Sequence, residues 1–201
     1  VQGEIDRAVR QISGRKDFEL YGSGRTDAGV HALAQVAHLD VATTLPAESL
    51  RRKLNDELPA DIHILGATVV PHRFHARHDA VARRYLYQIS TRRTAFAKPY
   101  VWWVKESLNV DAMRRAAEAF VGMHDFGAFA VEDRQNEDAS TRVLLERLDF
   151  IVDGSLILVG VEGSHFLWRM VRRLVGVLVA VGRGDMTAEA AARLLEGRSE
   201  L

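Results

Sequence analysis

The densest chemical signal in the sequence is a single carboxylate inside a run of glycines. In Gly22-Ser23-Gly24-Arg25-Thr26-Asp27-Ala28-Gly29, Asp27 follows Arg25 by two residues. The glycines let the backbone turn sharply and approach a ligand closely. An ionised carboxylate in that setting serves as a nucleophile or as an electrostatic stabiliser. Equally, an aspartate in such a run caps the following turn through backbone N–H groups. A phosphate loop is excluded, because no Gly-Lys-Ser/Thr follows and the dinucleotide-binding spacing is absent. With no cysteine in the chain, thiol nucleophiles, thiolate zinc sites, iron–sulfur clusters and disulfide frameworks are excluded as well.

The second signal is arginine. Lys+Arg and Asp+Glu both number 27, so the 201 residues carry no formal net charge, which argues against a simple polycationic coat for nucleic acid. The distribution is uneven. Between His72 and Arg93 stand Arg73, Arg77, Arg83, Arg84, Arg92 and Arg93 against one acid, Asp79. From His165 to Gly184 stand Arg169, Arg172, Arg173 and Arg183 with no acid. Composition bias explains arginine in place of lysine but not this clustering, which favours a phosphate-binding face. Tyr85 and Tyr87 interleave with Arg83 and Arg84, the mixture of rings and cations that holds single-stranded bases. Tyr85 also reads as a half-buried strand aromatic. His72, His75 and His78, three residues apart, suggest metal ligands, but their Phe-His-Ala-Arg setting favours solvated or RNA-facing rings, and no metal is assigned. His31 reads as a partner supporting the glycine loop.

These residues must be positioned by regular elements. Val1, Ile5, Val9 and Ile12 predict an opening amphipathic helix closed by Gly14. Phe18 to Tyr21 predicts a strand feeding the glycine loop, and Gln35 to Val41 a second segment of loosely alternating apolar residues. Ala47 to Leu58 has helical spacing, and Ile62 to Val70 is β-branched and predicts a strand. A long strand is expected over Ala80 to Thr91 and a short one over Tyr100 to Val104, where one of Trp102 and Trp103 should face the core. Asp111 should cap a helix reaching about Val121. Asp153-Gly154 marks a hairpin between Val143 to Val152 and Leu156 to Val161. Phe166 to Val181 predicts a long helix, too short at its most apolar stretch to cross a membrane, and Thr187 caps the last helix. Phe126 and Phe129 read as core, and the acidic stretch Glu132 to Asp138 as a loop. The pattern is α+β, with mixed or antiparallel sheets flanked by helices, divided into halves at 1–105 and 106–201.

The string GRTDAGVHA, Gly24 to Ala32, followed by Gln35, Val36 and His38, resembles the catalytic signature of the TruA-type tRNA pseudouridine synthases. Further matching strings are VQGE from Val1, FHAR from Phe74, RRYLY from Arg83, GMHDFGAF from Gly122 and FLWRMVRRLVG from Phe166. The resemblance implies the pseudouridine synthase fold with a basic cleft between its halves. It implies a homodimer that isomerises uridine to pseudouridine in the tRNA anticodon arm, at family positions 38–40, without a cofactor; a cytoplasmic protein is the default expectation, since no signal-like segment opens the sequence. It makes Asp27 the essential aspartate, Tyr85 the tyrosine on the target base, Arg172 the arginine paired with that aspartate, and Arg25 the loop arginine that helps displace the nucleotide. Arg77, Arg83, Arg84 and Arg169 are then candidates for substrate binding. The sequence departs from the family pattern in three places. The strand that usually precedes VQGE and the usual proline- and glycine-rich ending are not present, and Arg169 stands where histidine often precedes Met-Val-Arg. The chain therefore reads as the interior of a longer enzyme, and a catalytically inactive RNA-binding protein of the same fold is the alternative.

Overall fold

Ile5, Val9 and Ile12 line one side of α1 (Gln2–Ser13), as their spacing requires, and Gly14 ends the helix in the left-handed conformation at φ 66°. The computed structural model describes residues 1–131 and 140–196. Two compact units result, Val1–Ala80 and Val81–Leu201.

In the first unit, β1 (Glu19–Gly22) and β2 (Ala37–Asp40) form an antiparallel pair in which Leu20 faces Leu39 and Tyr21 faces His38. α2 (Ala47–Glu57) completes the unit's regular elements. Ala8 and Val9 of α1 meet Leu54 and Leu58 in a small core, with Phe18, Leu39, Ile62 and Ile64 packed around it. The strand expected over Ile62 to Val70 does not form. The N–H of Ile64 donates to Asn55 Oδ1 at 2.8 Å, and its carbonyl accepts from Asn55 Nδ2 at 3.0 Å and Arg51 Nη1 at 3.1 Å. Side chains of α2 thus take the bonds a neighbouring strand would have taken.

The second unit holds a five-stranded sheet in the order β4-β3-β7-β6-β5. Its strands are β3 (Arg83–Ser90), β4 (Trp102–Trp103), β5 (Gly122–Asp125), β6 (Arg142–Asp153) and β7 (Leu156–Gly163). All pairings are antiparallel except the short β3–β4 contact. The β6–β7 hairpin turns at Gly154, whose φ of 56° suits glycine. Ile89, Val159, Val161 and Phe150 from the sheet share one core with Met113 and Ala116 of α3 (Val110–Glu118) and with Leu174 and Leu178 of α4 (Met170–Arg183). Phe126 and Phe129 are fully buried in it. Thr187 caps α5 (Ala188–Arg193) by accepting from the Ala190 N–H.

Several local expectations are corrected. β3 pairs along its whole length with β7, from Arg83 opposite Gly163 to Ser90 opposite Leu156. The basic strand therefore lies within the second compact unit, Val81–Leu201. Asn109, not Asp111, caps α3, accepting from the Ala112 N–H at 3.0 Å. Trp102 and Trp103 are equally exposed at 38%, and the inward position is taken by Val104. α4 starts at Met170, because Arg169 adopts φ 60° and breaks the helical path from Phe166. The acidic stretch Glu132 to Asp138 lies outside the described residues.

Candidate active site

The loop that carries Asp27 connects β1 to β2, so a hairpin ladder fixes its two ends. Just beyond the ladder, Gln35 ties them again. Ser23 Oγ donates to Gln35 Oε1 at 2.7 Å, Gln35 Nε2 donates to the Gly24 carbonyl at 2.9 Å, and the Ser23 N–H donates to the Val36 carbonyl at 2.8 Å. Above this closure the chain turns at Asp27, whose carbonyl accepts from the Val30 N–H at 3.0 Å, with Gly29 at φ 76°. The turn is thus closed through the backbone of Asp27, and its carboxylate stands exposed, as does Arg25. Gln35 belongs to the motif string, but its part in closing the loop escaped the sequence reading. A side-chain amide bonded to backbone leaves no periodic signature.

The Phe-His-Ala-Arg segment is fastened to the same hairpin. The Ala76 N–H donates to His38 Nδ1 at 3.1 Å, and the His75 N–H to Asp79 Oδ2 at 2.8 Å. The rings of His38 and His75 lie 4.6 Å apart, those of His75 and His78 4.2 Å, and Tyr21 stacks on His38 at 5.4 Å. His72 pairs with Asp40 at 3.0 Å. Burial, then the positive fields of His78 and His38, hold the His75 ring below the usual histidine range, with Asp79 opposing. This packing sets Arg77, itself exposed, in a turn anchored to β2.

In the second unit Tyr85, Tyr87 and Ile89 share one face of β3. Tyr85 is 37% exposed and meets Phe166 edge to face, with ring centroids 5.1 Å apart. Tyr87 is half-buried against Trp102. Burial raises the Tyr87 phenol above its ordinary value while the charge of Arg172 pulls the other way. Arg172 therefore acts electrostatically on this aromatic face from the first turn of α4. The neighbouring arginines have distinct attachments. Arg84 lies directly across the ladder from Glu162 and pairs with it at 2.9 Å. Arg83 donates to the Ser164 carbonyl at 2.8 Å, and Arg173 turns inward to the carbonyls of Ala130 and Ala128 at 2.8 and 3.2 Å. Arg169 lies over the ring of Trp168, 4.9 Å from its centroid. The clustered arginines are thus not one continuous phosphate surface. Some grip the protein itself.

Asp27, Arg25 and Arg77 are supplied by the first unit, and Tyr85, Arg83, Arg84, Arg169 and Arg172 by the second. Among the described residues no helix is long and apolar enough to cross a membrane.

A family model described as tRNA pseudouridine synthase matches residues 1–79 and 116–200. Those segments include Asp27, Arg25, Arg77, Arg169 and Arg172, while Tyr85, Arg83 and Arg84 fall between them. The chain is 43% identical to tRNA pseudouridine synthase A of Rhodopseudomonas palustris, over 99% of this chain and 81% of that protein. It is 37% identical to tRNA pseudouridine synthase A of Halalkalibacterium halodurans, over 99% and 76%. With the enzyme of that name from a Geobacter species it shares 40% identity over 98% and 79%. A glycine loop presenting an exposed aspartate, and agreement along nearly the whole chain, make it a member of the tRNA pseudouridine synthase family.

Proposed function

We infer that this chain isomerises uridine to pseudouridine in tRNA, with Asp27 as the indispensable group. The observation that carries the reading is the exposed Asp27 carboxylate on a loop closed by Gln35, in a chain of this family. In the reaction the bond from C1′ to N1 breaks, the base turns, and C1′ bonds to C5. C5 loses its proton and N1 gains one. Nothing is oxidised and nothing leaves, so the chemistry calls for no redox or group-transfer cofactor.

One ionised carboxylate meets the first demand, as a nucleophile or as the counter-charge to a sugar that becomes cationic. The C5 proton then needs a base, either that carboxylate or a phenol. We assign Arg172 to supply the positive charge that keeps the carboxylate ionised, and Tyr85 to stack on the target base after it leaves the helical arm. Arg25 assists that displacement, while Arg77, Arg83, Arg84 and Arg169 engage the tRNA backbone. Arg84 has to exchange or share Glu162 to do so. The substrate region is the anticodon arm and the working form a homodimer, both supported by the resemblance of the motif strings.

Tritium release from tRNA labelled at uridine C5 tests the assignment. The unaltered chain should release label, and Asp27→Asn should lower the rate by roughly 10⁴-fold or more while still binding tRNA. Retained activity in Asp27→Asn refutes the role. Tight tRNA binding by the unaltered protein with no pseudouridine formed at saturating enzyme would make this chain an RNA-binding protein instead.

A further inference from the structure

We propose that Trp168 and Arg169 form a second base-stacking position, taking an unpaired nucleotide of the tRNA strand that flanks the uridine held at Tyr85. The proposal rests on the role given to Tyr85 above. Trp168 keeps 44% of its surface exposed, a large apolar ring left in water just before the helix that carries Arg172. The Arg169 guanidinium lies over that ring, and an aromatic plane carrying a guanidinium is a platform on which nucleobases stack.

The arrangement is held in place against a backbone preference. Arg169 is the one non-glycine residue at positive φ among the described residues, a conformation that side-chain-bearing residues adopt only when their surroundings impose it. Those surroundings are explicit. The Trp168 carbonyl accepts from the Val131 N–H at 3.1 Å, the Arg169 carbonyl from the Arg173 N–H at 3.1 Å, and the Arg173 side chain grips the Ala128 and Ala130 carbonyls. The result turns Arg169 back over Trp168 instead of letting α4 begin earlier.

The chemistry of the occupant follows from the neighbours. From His165 to Gly184 there is no acid, so the segment favours an anion over a cationic or neutral ligand. Two residues before Trp168, Phe166 meets the Tyr85 ring edge-on. One short segment thus carries both the ring that meets Tyr85 and the exposed Trp168, two residues apart, so a strand whose base is held at Tyr85 has a second ring to reach on the same segment. A stacked base with its phosphate on Arg169 satisfies both the ring and the cation.

The test uses the chain's own fluorescence. Trp102→Phe and Trp103→Phe leave Trp168 as the sole indole, and Asp27→Asn blocks turnover. Unmodified tRNA, or its isolated anticodon arm, should quench that indole in a saturable way, and a fully paired RNA duplex should not. With Asp27 and the other tryptophans restored, Trp168→Ala should raise KM for tRNA about tenfold, Trp168→Phe should recover most of it, and kcat should change little. Trp168→Leu, which keeps an apolar side chain without a ring, should raise KM as Trp168→Ala does and stands in for it where Trp168→Ala folds poorly. An indole unmoved at saturating tRNA, or an unchanged KM in Trp168→Ala or Trp168→Leu, overturns the stacking position. Activity surviving Asp27→Asn would instead strike the functional assignment, and the quenching result would still be read independently.

Discussion

Asp27 stands out in the sequence because its neighbours are glycines and its string is distinctive, yet a motif says nothing of how a loop holds a carboxylate steady. Gln35 answers that. One amide group accepts from Ser23 Oγ and donates to the Gly24 carbonyl, so both limbs of the loop are joined by a single side chain. Gln35→Leu removes both bonds, and the one its Oε1 accepts from the Val36 N–H, from an exposed position, so global stability should change by no more than about 1 kcal/mol. Loosening the Asp27 geometry by about 1 Å is worth on the order of 10²-fold in rate. The expected outcome is kcat reduced ten- to a hundredfold with KM for tRNA nearly unchanged, measured by steady-state tritium release. Equal kcat in Gln35→Leu would show that the hairpin ladder alone suffices. Arg84 makes the opposite point, since the sequence shows a clustered cation but not Glu162 lying across the ladder from it. Pairing between distant strands is set by the fold.

At the scale of elements, periodicity located most of what forms. α1, α2, β3, the β6–β7 hairpin and the Thr187 cap all follow from apolar spacing and from turn or cap residues. Two of the failures share a cause, a tertiary contact outweighing local preference. Ile62 to Val70 has β-branched residues but its Ile64 backbone is bonded by Asn55 and Arg51. Phe166 to Arg169 is apolar enough for helix, yet the left-handed Arg169 delays α4 until Met170. β7 ends at Gly163 beside a register shift in β6 between Leu145 and Arg147. There a Cβ would lie 2.7 Å from the Leu144 carbonyl oxygen, a backbone atom that cannot rotate away. Gly163→Ala should therefore destabilise the second unit by about 1–3 kcal/mol. Urea unfolding followed by far-UV circular dichroism measures it, and an unchanged midpoint would mean that the bulge absorbs the methyl group.

For the molecule as a whole, zero net charge is compatible with binding an anionic polymer because the cations are local, and part of that positive charge is spent on internal partners such as Glu162 and the carbonyls of Ala128 and Ala130. Each unit also carries a histidine held below its ordinary range. His75 is held there by burial and by the rings of His78 and His38 against the opposing Asp79, and His165 by burial and by Arg83. Lowered values mean that the folded protein resists protonation while the unfolded chain accepts it near pH 6.5. Between those values the unfolded state binds more protons, so stability rises with pH. The contribution is therefore complete above about pH 6.5 and is lost as pH falls below it. The carboxylates held low by partners, such as Asp6 beside Arg10 and Glu48 beside Arg51, contribute their losses only at lower pH, below the ordinary carboxylate value. Urea midpoints measured at pH 7.5 and pH 5.5 should accordingly fall on acidification. In the double variant His75→Gln, His165→Gln that difference should shrink, the absolute stability at pH 7.5 being compared separately because His75 Nδ1 also accepts amide N–H groups from Arg77 and His78. A double variant with the full acid sensitivity of the unaltered chain would place the titrating groups elsewhere.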